Sequence, residues 1–234
     1  MTRNPLVIFS LSLNLLLLAL SLAGWLGPNV LTSFNPEIDT PIVADTAFVH
    51  PLAAVIGAVS LGERVVVAPG ASIRGDEGQS IYIGDQSNVQ DGVVIHGLET
   101  FDDEQEIPED EVEVAGQKYS VYIGKRVSLA HQSQVHGPAT IGDETFVGMQ
   151  ALVFKSEGGD HVIIEPGAKI IGVTIPPHRY VPALTAVTRQ EQADALPRIT
   201  EDYSLRRLNQ RVVHVNLQLA AALAGTKRNQ ILKP

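Results

Sequence analysis

No cysteine occurs anywhere in the 234-residue sequence. Disulfide staples, thiolate metal sites and cysteine nucleophiles are all excluded, while the compartment is left open. Basic residues are also in short supply: 17 Lys and Arg stand against 26 Asp and Glu, a formal net charge of −9. A general nucleic-acid binder needs a basic face to neutralise phosphates, so nucleic acid is not an expected partner. Charge of either sign is sparse at 18%, whereas hydrophobic residues reach 44%, with 20 Gly and 14 Pro. That balance favours a packed, turn-rich fold over disorder, with length for one good-sized domain and an appendage. The acidity is local. Nine acidic residues and no basic one lie between Glu99 and Glu113, and the remainder of the chain is neutral. Taken alone, such a run is a solvated surface loop.

Arg3 precedes a nearly charge-free stretch from Pro5 to Gly27. A positive residue followed by an apolar run is the pattern of a secretory signal, and Ser21 and Ala23 offer small residues for cleavage near Ala23. The run is also long enough to span a bilayer as an uncleaved anchor. Residues 1–33 are therefore expected to be a signal peptide or membrane anchor with its linker. The chain is expected to be exported, touching membrane only through that segment if it is retained.

From Val49 an aliphatic residue recurs every sixth position: Val49, Val55, Leu61, Val67, Ile73. After a four-residue insertion the register resumes at Ile83, Val89 and Ile95, and after the acidic stretch at Ile123, Leu129, Val135, Ile141, Val147 and Val153, then at Ile164 and Ile170. Period six is neither the 3.6 of a helix nor plain strand alternation. It predicts short strands joined by tight corners, three per coil, stacked as a parallel β-helix over 34–187 with an extruded loop at 99–120. Gly57, Gly62, Gly84, Gly124, Gly142 and Gly148 fall where corners need a small or left-handed residue. Over 188–234 the chain reads as helical, with Thr200 as N-cap and an apolar stripe of Leu205, Leu208, Val212, Val215 and Leu219 reaching about Ala224.

The register singles out three of the seven histidines. Grouping hexads by three places Ile95 and Val135 on one face in successive coils, so His96 and His136 share an outward column about 4.8 Å apart. Two imidazoles at that spacing can converge on one ion. His131 lies on the preceding face, so a neighbouring subunit of a three-fold assembly is expected to supply it. Three imidazoles and an open position suit a hydrolytic or hydration metal centre. Arg74 lies beneath His96 in the column, with Asp76 and Glu77 following. Glu99, Asn88, Gln90 and Asp91 are expected to join them at one prism corner.

The segments RGDEG, NVQDGVVIH, LAHQSQVHG and GVTIPP strongly resemble the γ-class carbonic anhydrases, over about Phe34 to Leu219. The resemblance implies an all-β, left-handed hexapeptide-repeat prism with a packed C-terminal helix. It further implies homotrimers with metal sites at subunit interfaces, and carbon dioxide and bicarbonate as substrate and product. It makes His96, His131 and His136 ligands to Zn2+, with Fe2+ or Co2+ as alternatives. Glu77 and Gln90 would lie at the catalytic water, Glu99 would relay protons, Arg74 and Asp91 would support the interface or site, and Asn216 would lie near the carbon dioxide pocket. The long acidic insertion is similar to that of the subclass with a proton-shuttle loop. Phe34 stands where that subclass often has an indole, and His214 where an aromatic is frequent. The alternatives are a non-catalytic trimeric assembly protein of the same family and, more remotely, a hexapeptide-repeat acyltransferase, since fold alone does not select function.

Overall fold

A computed structural model describes residues 25–103 and 105–231. The apolar leader up to Gly24 lies outside the described residues. Among those described, no helix is long and apolar enough to cross a membrane.

The chain winds through three faces in repeating order. Face I carries Ala54–Gly57, Ser72–Gly75, Val94–His96 and the first part of Gln134–Ile141. Face II carries Val59–Leu61, Ile81–Ile83 and Val121–Ile123, and face III carries Val66–Val67, Asn88–Val89 and Ser128–Leu129. All these ladders are parallel and in register, which makes the molecule a left-handed β-helix with a C-terminal helix. Gln134–Ile141 and Leu152–Gly158 run unbroken around a corner, so faces I and II form one 13-stranded sheet. The solenoid starts before Phe34: Trp25–Gly27, inside the expected leader and linker, pairs with Ala54–Gly57.

All sixteen aliphatic positions of the hexad register are buried, none more than 5% exposed. Val55, Ile73, Ile95, Val135, Val153 and Ile170 stack rung on rung. Each such side chain contributes about 1.5–3 kcal/mol by leaving water. The corner glycines divide between the two needs. Of the six glycines, only Gly57 has a left-handed backbone, with φ +73°. The others are needed for closeness, since a Cβ at Gly84 would sit 2.6 Å from the Gly124 carbonyl oxygen. At the corner between faces II and III the left-handed residues are Arg64, Gln86, Arg126, Glu144, His161 and His178.

The C-terminal region corrects two expectations. A first short helix, α1, spans Gln190–Asp194, but residues 201–207 form turns and the long helix, α2, spans Leu208–Ile231. The turns hold because Tyr203 stacks on Tyr180 at 4.1 Å and donates its hydroxyl to Glu165, so this segment is fastened to the prism instead of continuing the helix. Burial and that hydrogen bond raise the Tyr203 pKa. The buried side of α2 is Asn209, Val213 and Ala220, packed on face III, while Val215 and Leu219 of the expected stripe are about half exposed.

Candidate metal centre

His96 pairs in register with Arg74 on one side and His136 on the other, and His136 with Phe154. The column expected from the hexads is thus present. The imidazoles of His96 and His136 stand edge to face with centroids 5.3 Å apart, and the Phe154 ring covers His136 at 5.4 Å. Inward neighbours Ile95 and Val135 are buried, which fixes both histidines outward.

Carboxylates gather at the same rung. His96 Nε2 lies 3.2 Å from Asp76 Oδ1 and 3.3 Å from Glu77 Oε1, and Asp76 Oδ2 accepts from Arg74 Nε at 3.0 Å. Among the described residues, Asp76, Glu77 and His96 bring metal-competent atoms within 4.8 Å of one another. Asp76 was seen in the sequence only as a neighbour of Glu77. Its double role follows from the corner insertion, which sets Asp76 and Glu77 beside the His96 imidazole.

Glu99 is exposed and shares a cleft of about 350 Å³ with Glu77, Phe34, Phe101, Asp102 and Ile107. Thr100 ties the two glutamates together. It is fully buried; its N–H donates to the Glu77 carbonyl, its hydroxyl accepts from Gln79 N–H at 2.6 Å, and its carbonyl accepts from Ile107 N–H. No sequence signal marked Thr100. The acidic stretch is folded, with hairpins at Phe101–Asp102 with Gln105–Glu106 and at Val112–Val114 with Gln117–Tyr119. Lys118 bridges Glu106 and Glu111, whose carboxylates raise its pKa, and Lys155 holds Asp110 at 3.0 Å.

His131 stands apart, at the corner between faces III and I. Its Nδ1 lies 3.0 Å from Asp91 Oδ2, which leaves Nε2 free, and both side chains are more than half exposed. Gln90 Nε2 donates to Asn88 Oδ1, and buried Asn88 donates to Ser128 Oγ. Asn88 therefore acts by orienting the Gln90 amide. Asn216, on α2 over face III, returns its amide to the Val212 carbonyl. The expectation of a single cluster at one corner is corrected. Residues 88–91 precede 94–96 by one hexad, and one hexad is one whole face of the prism. Arg74, Glu77, His96, Glu99 and His136 form one half-site, on face I and its corner with face II. Asn88, Gln90, Asp91 and His131 form the other, around the corner between faces III and I.

The donors suit a borderline cation such as Zn2+, Fe2+ or Co2+: imidazoles with carboxylates close by. In two histidines the second ring nitrogen is already engaged, His131 by Asp91 and His136 by the Gly137 carbonyl at 3.2 Å. That fixes the ring and leaves Nε2 as the nitrogen available to an ion.

No family model matches the chain. The chain is 56% identical over 199 residues to a carbonic anhydrase of Methanosarcina thermophila, covering 85% of this chain and 81% of that protein. It is 41% identical over 170 residues to the carboxysome assembly protein CcmM of a Nostoc species, covering 71% of this chain but 28% of that protein. It is 31% identical over 134 residues to gamma carbonic anhydrase 1 of Arabidopsis thaliana mitochondria, covering 57% of this chain and 42% of that protein.

Proposed function

Since the chain belongs to the γ-class carbonic anhydrase family, we propose that it is a metal-dependent enzyme for the reversible hydration of carbon dioxide to bicarbonate and a proton. It works as a homotrimer, exported by its apolar leader. His96 and His136 of one subunit and the partner subunit's His131 would hold the cation, Zn2+ or alternatively Fe2+ or Co2+. When bound, the cation supplies the Lewis acidity that lowers the pKa of water from about 15.7 to about 7.

The remaining chemistry belongs to side chains. Glu77, beside His96, accepts a proton or hydrogen bond from the attacking water. The partner's Gln90, held by the partner's Asn88, orients that water. Glu99 takes the released proton from the cleft it shares with Glu77 towards the acidic loop, as a shuttle with one side in solvent. Asn216 serves the carbon dioxide pocket.

The division into two half-sites carries this reading. The face-I half holds two imidazoles and carboxylates but lacks its third imidazole; the corner half holds one imidazole with its ligand nitrogen free. Apolar side chains surround the second half unpartnered. His131 and Met149 occupy equivalent corner positions, and Leu52 and Leu184, one position further on in their own corners, are 73% and 84% exposed. Val215 and Leu219 flank Asn216 in the same condition. A second copy covers such surface and completes the site in one contact. The retained ligands and acidic loop favour catalysis over a purely structural role.

Mixed trimers test it. His131→Ala and His136→Ala proteins, each deficient in metal, are expected to regain metal and hydration activity when subunits exchange, because some interfaces then receive intact halves from both. Exchange demonstrated by mass spectrometry without any regain of metal would reject the intersubunit centre.

A further inference from the structure

The positive end of α2 is electrostatically anomalous. A helix N-terminus carries roughly half a positive charge and favours acidic residues in its first turn. Here the first turn has no acidic residue, contains Arg211, and is preceded directly by Arg206 and Arg207. Three guanidinium groups at the cationic end of a 24-residue helix repel the dipole and one another.

This end of α2 opens onto a cleft of about 470 Å³ at the corner between faces II and III, opposite the face that carries His96 and His136. Arg126, Arg206, Arg207, His161, His178 and Asn209 line it. Two of the cations have partners: Arg126 pairs with Glu144, and Arg206 lies 3.4 Å from the highly exposed Glu201. Arg207 has no ion pair among the described residues. The His161 and His178 rings stack in parallel at 4.8 Å. Asn209 is only 5% exposed; its Nδ2 donates to the Arg126 carbonyl at 2.8 Å, while its Oδ1 has no hydrogen-bond partner. The donor bond fixes the amide orientation, so the buried acceptor is left wanting a donor.

We propose that this cleft binds a small oxyanion that still carries a proton, of the hydrogencarbonate or hydrogen phosphate type. Its oxygens answer the Arg207 guanidinium and the imidazoles, at the positive end of the helix dipole. Its O–H answers the Asn209 acceptor, directly or through one water. The site is separate from the metal centre and stands whether or not the hydration reaction is confirmed.

Isothermal titration with inorganic phosphate and, separately, with bicarbonate tests it on the full-length metal-loaded protein, on Arg207→Glu and on His136→Ala. Beside any binding at the metal centre, saturable binding of at least one of the two is expected at one site per subunit that persists in His136→Ala and is weakened about tenfold or more in Arg207→Glu. The tighter of the two anions identifies the source. Arg207→Gln, removing charge without reversing it, is expected to weaken binding in the same direction and guards against misfolding of the reversal. No saturable binding of either anion would overturn the proposal. So would binding that survives in both Arg207 variants but disappears in His136→Ala, since that anion would sit at the metal centre.

Discussion

The two half-sites are built by different means. On face I, His96 is 14% exposed, gripped by Asp76 and Glu77, and backed by the buried Ile95. At the corner between faces III and I, His131 is 55% exposed and has one carboxylate beside it. One half is organised by contacts within its own coils. The other is held out on an edge, with exposed Met149 on the next rung and exposed Leu52 and Leu184 three rungs away on either side along the same corner. On the proposed reading, affinity for the ion and affinity between subunits would be joined: the preformed half would set where the ion goes, and the presented half would make the site wait for assembly.

This contrast can be broken most forcefully at the imidazoles. His96→Ala and His131→Ala should each lower metal affinity by more than ~100-fold, with hydration activity falling in step, as metal analysis and stopped-flow assays would show. They should differ in assembly. His96→Ala is expected to leave subunit association intact without metal, whereas replacing Leu184 or Met149 by Glu is expected to yield monomers that still hold the His96–Asp76–Glu77 grouping. Beneath the histidines, Ile95→Ala should cost about 2–5 kcal/mol in urea unfolding through an internal cavity, while His131→Ala, on the exposed edge, should change stability by less than about 0.5 kcal/mol. Equal losses at both positions would erase the distinction.

Smaller effects sharpen the preformed half. Glu99→Ala should lower kcat by roughly 10²-fold in dilute buffer, far more than kcat/KM, with imidazole restoring much of the loss. An unchanged kcat would return the loop to a solvated surface. Thr100→Val leaves the partly buried Gln79 N–H without its acceptor, at a cost of about 1 kcal/mol. It should also lower kcat, though less than Glu99→Ala does, because the hydroxyl contacts to Gln79 and the Glu77 carbonyl are lost while the backbone bond from the residue-100 N–H to Glu77 remains, and Thr100→Ser should recover both properties.

The sequence was informative wherever the period of six governed. The sixteen inward aliphatics and the Arg74–His96–His136 column follow from counting, because parallel register makes equivalent positions adjacent. The same count separates His131 from the column and puts Asn88 and Gln90 a full face before His96. What escaped lies off the period. Thr100 and the Asp76 contact belong to insertions at a corner, where closure depends on tertiary hydrogen bonds that no local pattern announces. The start of α2 was misplaced for a similar reason: Thr200 and the acidic residues after it make a plausible cap, yet the Tyr203 stack on Tyr180 outweighs that local preference. The buried stripe of α2 shifted too, because packing on face III selected Val213 and Ala220 and left Val215 and Leu219 to another surface.

The rungs of the prism are set by peptide hydrogen bonds, so the column is a ruler graduated in steps of about 4.8 Å. Ligands along it move by whole graduations, without any change of direction. Phe154 occupies the mark beyond His136. Phe154→His would place a third imidazole on the same scale, giving one chain three consecutive ring donors and a chelate whose spacing is dictated by backbone pitch. A centre of that kind would not need a second subunit, and its metal affinity would be independent of protein concentration, unlike one divided between chains.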